Sequence, residues 1–185
     1  MELCTVERGL GSSTLNILVD DEIQYIFQSK RKLFSKSVQF YDALTKSLLY
    51  QAKSRHLLGY VIIESQMYEI NLKFLRPQFS RGIYGFVVEG MDFFWDFEYE
   101  SHLRCFTTHD MGLVAQFFWK SSLLSSPFHS KAKPSAELDI RHSTSESESE
   151  NMGLAQLVIL RKVSESPAVR SIIIFTGLLL LKNSI

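Results

Sequence analysis

Cysteine is nearly missing from this chain. Cys4 and Cys105 are the two cysteines in 185 residues. They are too few for a disulfide framework and not spaced as a metal or redox motif, so a reduced, cytoplasmic setting is expected. Net charge is missing too: 20 Lys and Arg balance 20 Asp and Glu. No global basic field is available, and no nucleic-acid partner is expected. The first residues, MELCTVERGLG, mix charges and lack a long apolar core, so they do not read as a secretory signal. Nucleophile elbows, phosphate-cradling glycine loops and HExxH are all absent from the sequence. His102, Cys105, His109 and Asp110 are zinc-ligand types. On a strand, however, His102 and Cys105 fall on opposite faces, and no second pair joins them. Asp96, Glu98 and Glu100 alternate along one strand, which is the pattern of a solvated face rather than of a catalytic pair. The expectation is a non-enzymatic protein with no catalytic residue, metal or cofactor.

Aromatic residues are plentiful, with 14 Phe and 7 Tyr, and they favour strands. Residues 1–14 read as a flexible lead-in. From Leu15 onward, short runs alternate apolar and polar residues between turn signals. Ile23, Tyr25 and Phe27 share one face, Gln28–Lys32 reads as a basic turn, and Val38 and Phe40 face away from Gln39 and Tyr41. Gly59–Glu64, Tyr68–Phe74 and Tyr84–Glu89 follow as strands. Met91–His102 is the most legible, with Phe93, Trp95, Phe97 and Tyr99 on one face. Leu103–Thr107 and Leu113–Trp119 come next, then Ala136–Arg141 and Leu154–Arg161 as later candidates. Ser143–Asn151, STSESESEN, has no apolar residue and reads as a disordered, solvated loop open to phosphorylation.

The chain ends differently. Residues 166–182 read as a helix, with Ser166 as N-cap and Pro167 at its first position. From Ile172 to Leu181 only Thr176 and Gly177 interrupt large apolar side chains. A helix apolar all round belongs inside a protein or a membrane. A run of about 10 residues is shorter than the roughly 20 needed to span a bilayer, which favours a core helix. Arg170 and Lys182 bracket it and could snorkel, which keeps a membrane anchor as the alternative. Ten to twelve antiparallel strands closed around this helix would explain its composition and remove sheet edges.

Three stretches carry a family resemblance: LFSKSVQFYDALTKSLLYQAK at Leu33–Lys53, DFFWDFEY at Asp92–Tyr99, and the ending LVILRK…AVRSIIIFTGLLLLKNSI. With them the chain resembles the tubby C-terminal-like superfamily, which includes tubby proteins, plant LURP-one-related proteins and phospholipid scramblases. It looks most like the small fungal-type members. The resemblance implies a closed antiparallel barrel over residues 15–185, threaded by the C-terminal helix. It also implies binding of phosphoinositide or anionic lipid headgroups, in a peripheral membrane or adaptor protein. The alternatives are a scramblase-like protein anchored by the last helix and a protein-interaction barrel. Candidate lipid- or phosphate-binding residues come from this chain's basic clusters: Lys30, Arg31, Lys32 and Lys36, then Lys53, Arg55 and His56. A meander would bring those turns to one end of the barrel, where they could hold a phosphate or an anionic membrane.

Overall fold

Among the described residues, the alternation of apolar and polar residues folds into twelve antiparallel strands and one helix. The structure is a computed structural model that describes residues 2–10, 13–32, 35–55, 60–75, 83–99, 102–119, 154–160 and 166–181. The first half of the chain forms β1 (Glu2–Arg8), β2 (Thr14–Val19), β3 (Glu22–Lys32), β4 (Ser35–Asp42), β5 (Leu48–Arg55), β6 (Tyr60–Ser65) and β7 (Ile70–Leu75). The second half forms β8 (Ile83–Val88), β9 (Met91–Tyr99), β10 (His102–Thr107), β11 (Leu113–Trp119), β12 (Ala155–Ile159) and α1 (Pro167–Leu181). The segments expected as a strand at 136–141 and as a disordered loop at 143–151 lie outside the described residues.

One sheet runs in the order β7-β6-β5-β4-β3-β2-β1-β12-β11-β10-β9-β8 and curls into a nearly closed barrel. The segment read as a loose lead-in holds the strand that joins the two halves. Cys4 of β1 pairs with Val19 on one side and with Leu157 of β12 on the other. Its sequence ELCTVER alternates only through Cys4 and Val6, both buried, which is a short signal between charged ends. The ladder stops between β7 and β8. There Phe74 stacks on Tyr84 with ring centroids 5.9 Å apart and meets Phe86 edge-on at 6.0 Å. Aromatic packing thus closes the seam in place of backbone pairing.

The helix occupies the lumen. All its residues from Ser171 to Leu181 are buried. Phe175 packs against Phe40 at 5.3 Å, Tyr50 at 5.5 Å and Phe27 at 6.0 Å. Polar atoms buried in the lumen need hydrogen-bond partners. The Trp95 indole N–H donates to Thr176 Oγ1 at 2.9 Å, and that hydroxyl donates to the Ile172 carbonyl at 2.8 Å. The Tyr50 hydroxyl donates to the Ala168 carbonyl at 2.8 Å and lies 3.1 Å from Ser171 Oγ. At the helix entry, the Arg170 guanidinium donates to the Glu2 carboxylate, to the Tyr25 hydroxyl at 2.8 Å and to Gln24 Oε1 at 3.1 Å. The core-helix expectation therefore holds. Among the described residues, no helix is long and apolar enough to cross a membrane.

Three local expectations change. Gln28–Lys32 is the end of the 11-residue β3 rather than a turn. Tyr68 lies in the turn before β7, beside Glu69 at φ 53°. Ile23 is 48% exposed, whereas Tyr25 and Phe27 point inward. A register shift explains this: Ile17 pairs with Tyr25 but Leu18 pairs with Ile23, so one extra residue turns Ile23 to the outer face.

Gly177 is set by the fit of helix to wall. A Cβ at this position would overlap the Phe117 ring and stand 3.0 Å from the Trp95 ring. Gly177→Ala is expected to lower stability by about 1–3 kcal/mol, read as a lower urea midpoint at unchanged slope. Alkaline pH supplies a second test. Burial, helped by the Glu2 charge, pushes the Cys4 thiol up to about 12, and burial raises Cys105, Tyr25 and Tyr50 above their ordinary values. These groups fold neutral and ionise more easily once unfolded. Their contribution is complete below their unfolded pKa values, about 8.5 for a thiol and about 10 for a phenol, and is lost as pH rises toward the folded values. The melting temperature should therefore hold near neutrality and fall progressively above about pH 9; a flat profile to pH 11 would contradict the buried placement.

Candidate functional site: a cationic row on the barrel wall

Strands β3 to β7 present an outer wall whose rows are set by register. One row crosses five strands in the order Lys30, Ser37, Lys53, Ile62, Lys73. Directly paired residues share a face, and the inward neighbours Val38, Ala52, Val61, Ile63, Leu72 and Phe74 are buried, so this row points outward. Lys30, Lys53 and Lys73 are exposed. They sit on alternate strands, so their backbones are separated by about 10 Å at about 4.8 Å per strand step. The next outward row, two residues nearer the helix entry, reads Gln28, Gln39, Gln51, Glu64, Asn71. The wall therefore carries three ammonium groups in one row, bordered by a row of amides and the Glu64 carboxylate.

Two of the lysines have neighbours of known chemistry. Lys53 Nζ donates to Glu64 Oε2 at 2.7 Å, with the two side chains 51% and 40% exposed. An ion pair this exposed contributes at most about 1 kcal/mol and yields readily to a competing anion. Lys73 Nζ lies 5.4 Å from the centroid of the Tyr60 ring. That contact steadies the ammonium while leaving its remaining donors available.

The structure thus brings Lys30 and Lys53 into one row, as a meander implies, but on the wall rather than at a turn. Backbone register places Arg31 opposite Lys36, Lys32 opposite Ser35 and Arg55 opposite Tyr60, at the same end of the sheet. The side chains of Arg31, Lys32, Lys36 and Arg55, and the whole of His56, lie outside what the structure describes. Lys73 and Tyr60 were missed. Lys73 was legible as an outward residue of its strand, but only pairing across β5, β6 and β7 aligns it with Lys53.

The remaining candidates stay apart. Cys105 is buried in the core, His109 is exposed in a turn, and His102 meets the Phe118 ring edge-on at 5.2 Å. Among the described residues, no group of three His, Cys, Asp or Glu could hold a metal ion. Asp92 is exposed and Asp96 half-buried on the outer face of β9. Comparison with family models, with curated proteins and with solved structures finds no match to this chain.

Proposed function

We propose that this chain is a non-enzymatic barrel that recognises anionic lipid, with phosphoinositide headgroups as the preferred class, as a peripheral membrane or adaptor protein. The observation that carries the proposal is the single outward row of Lys30, Lys53 and Lys73. Three ammonium groups on one face can engage a flat array of phosphates together, and each contributes about 1 kcal/mol near an anionic surface. The neighbouring amides of Gln28 and Gln51 are suited to hydroxyl groups of a headgroup. A barrel with a buried C-terminal helix is also the arrangement that a tubby C-terminal-like resemblance implies, which supports the same reading. Because the helix fills the lumen, contact with lipid in this proposal is made by the wall and not by the helix.

Vesicle flotation provides the test. The full chain should float with phosphoinositide-containing vesicles and not with neutral ones, and 0.5 M salt should weaken the binding. Lys30→Glu, Lys53→Glu and Lys73→Glu combined should reduce affinity by about 100-fold, from roughly 3 kcal/mol of lost attraction. Glu64→Gln should strengthen binding several-fold by releasing Lys53. Equal flotation of the triple variant would move the site elsewhere.

A further inference from the structure

Two strands of the sheet are paired on one side only. They are β7 and β8, the ends of the sheet order, and among the described residues no ladder joins them. Backbone bonds hold the other strands on both sides, so this junction has the fewest to break. Side chains hold the seam instead. Phe74 meets Tyr84 and Phe86, and Phe86 stacks on Phe93 with centroids 5.4 Å apart. Rings can part without leaving a backbone group unpaired, whereas parting a ladder leaves one donor and acceptor after another without its partner.

The seam has one free end. The chain runs from β7 into β8 at the end remote from the helix entry, so the two edges are tethered there. At the entry end they finish in the β6–β7 and β8–β9 turns. Both turns are tied to the start of α1. Tyr68, in the β6–β7 turn, packs on Tyr50 at 5.6 Å, and the Tyr50 hydroxyl donates to the Ala168 carbonyl at 2.8 Å. Glu89, in the β8–β9 turn, accepts from the Ser166 hydroxyl at 2.9 Å. Deeper in the lumen, Phe175 packs on Phe27, Phe40 and Tyr50 from one half of the sheet, while Trp95 from the other half donates to Thr176. A seated helix therefore holds the two sides of the seam together.

We infer that the β7–β8 seam is a lateral gate in the barrel wall: its two edges part from the helix-entry end while the other ladders stay paired, and α1 passes through the opening to its seat. The order of the chain calls for such a passage. The twelve strands all precede α1. A helix about 10–12 Å across with its side chains would otherwise thread end-on through a finished barrel, a kind of step that protein folds avoid. An open seam admits it sideways. Seating then forms the Tyr50–Ala168 and Ser166–Glu89 contacts, and the rings of Phe74, Tyr84 and Phe86 close the seam last. The gate rests on the seam and helix contacts alone, so it stands independently of the lipid reading.

Maleimide labelling of the full chain tests the gate. Leu72 in β7 and Leu15 in β2 are matched in burial, at 8% and 7% exposed, but Leu15 lies between two ladders. The Leu72→Cys thiol is expected to react at least about tenfold faster than the Leu15→Cys thiol, at a rate that mild urea leaves unchanged. The buried Cys4 and Cys105 serve as internal references in both variants. In the Leu72→Cys background, Phe74→Leu should speed labelling about tenfold, because opening the gate breaks the contacts it weakens. Ile17→Val, at least five strands from the seam, should lower the urea midpoint and leave labelling unchanged. Acceleration by Ile17→Val to match Phe74→Leu would mean that the thiol is reached only by global unfolding, and would overturn the gate. So would equal labelling of Leu72→Cys and Leu15→Cys. Folding kinetics test the passage of α1. With the seam closing last, Phe74→Leu should speed unfolding several-fold and leave refolding unchanged. Refolding slowed as much as stability falls would place seam closure before the seating of α1 and overturn the passage.

Discussion

The fit between one helix and one wall governs this fold. A barrel of about eight strands can fill its own interior with side chains, whereas a wider barrel leaves a lumen that needs a further occupant. Twelve strands enclose such a lumen here, and α1 is the occupant. The dependence is mutual. The sheet needs the volume of Ile172, Ile173, Phe175 and Leu178, and the helix needs a surface on every side. Close approach at Gly177 lets Phe117 and Trp95 reach the helix backbone, and the Trp95–Thr176 and Tyr50–Ala168 hydrogen bonds fix its depth and rotation. Apolar contacts alone are non-directional; these polar contacts give the packing a single register.

The helix also has a fixed direction. Arg170 stands one turn into α1, where its guanidinium is shared among Glu2, Tyr25 and Gln24. Glu2 belongs to β1 and Tyr25 and Gln24 to β3, so one side chain ties the helix entry to two strands. Placed at the other end of the lumen, Arg170 would lose all three partners, and a half-buried charge without partners is costly. The latch therefore connects the first strand of the chain to its last element.

With the helix seated, the outside of the barrel becomes two surfaces of opposite chemistry. Cations line the wall of β3 to β7 toward the end remote from the helix entry, and acids with apolar tips ring the entry itself. The chain's zero net charge hides this division.

Much of this was decided by local sequence. The Asp92–Tyr99 alternation names the inward Phe93 and Trp95, and the Ile172–Leu181 run names a helix with no polar face, because side-chain period and hydrophobicity are local properties. Tertiary structure alone decided the rest. Strand β1 was missed because two inward apolar positions, Cys4 and Val6, are a weak signal until β2 and β12 supply partners on both sides. Ile23 was assigned to the wrong face because a one-residue register shift is visible only in the pairing. Lys73 and Tyr60 joined Lys30 and Lys53 only through the ladders across β4 to β7, since which residues of separate strands stand side by side depends on register, and register is set by the whole core. The sequence by itself determined what each segment must bury; only the paired sheet decided which exposed residues became neighbours.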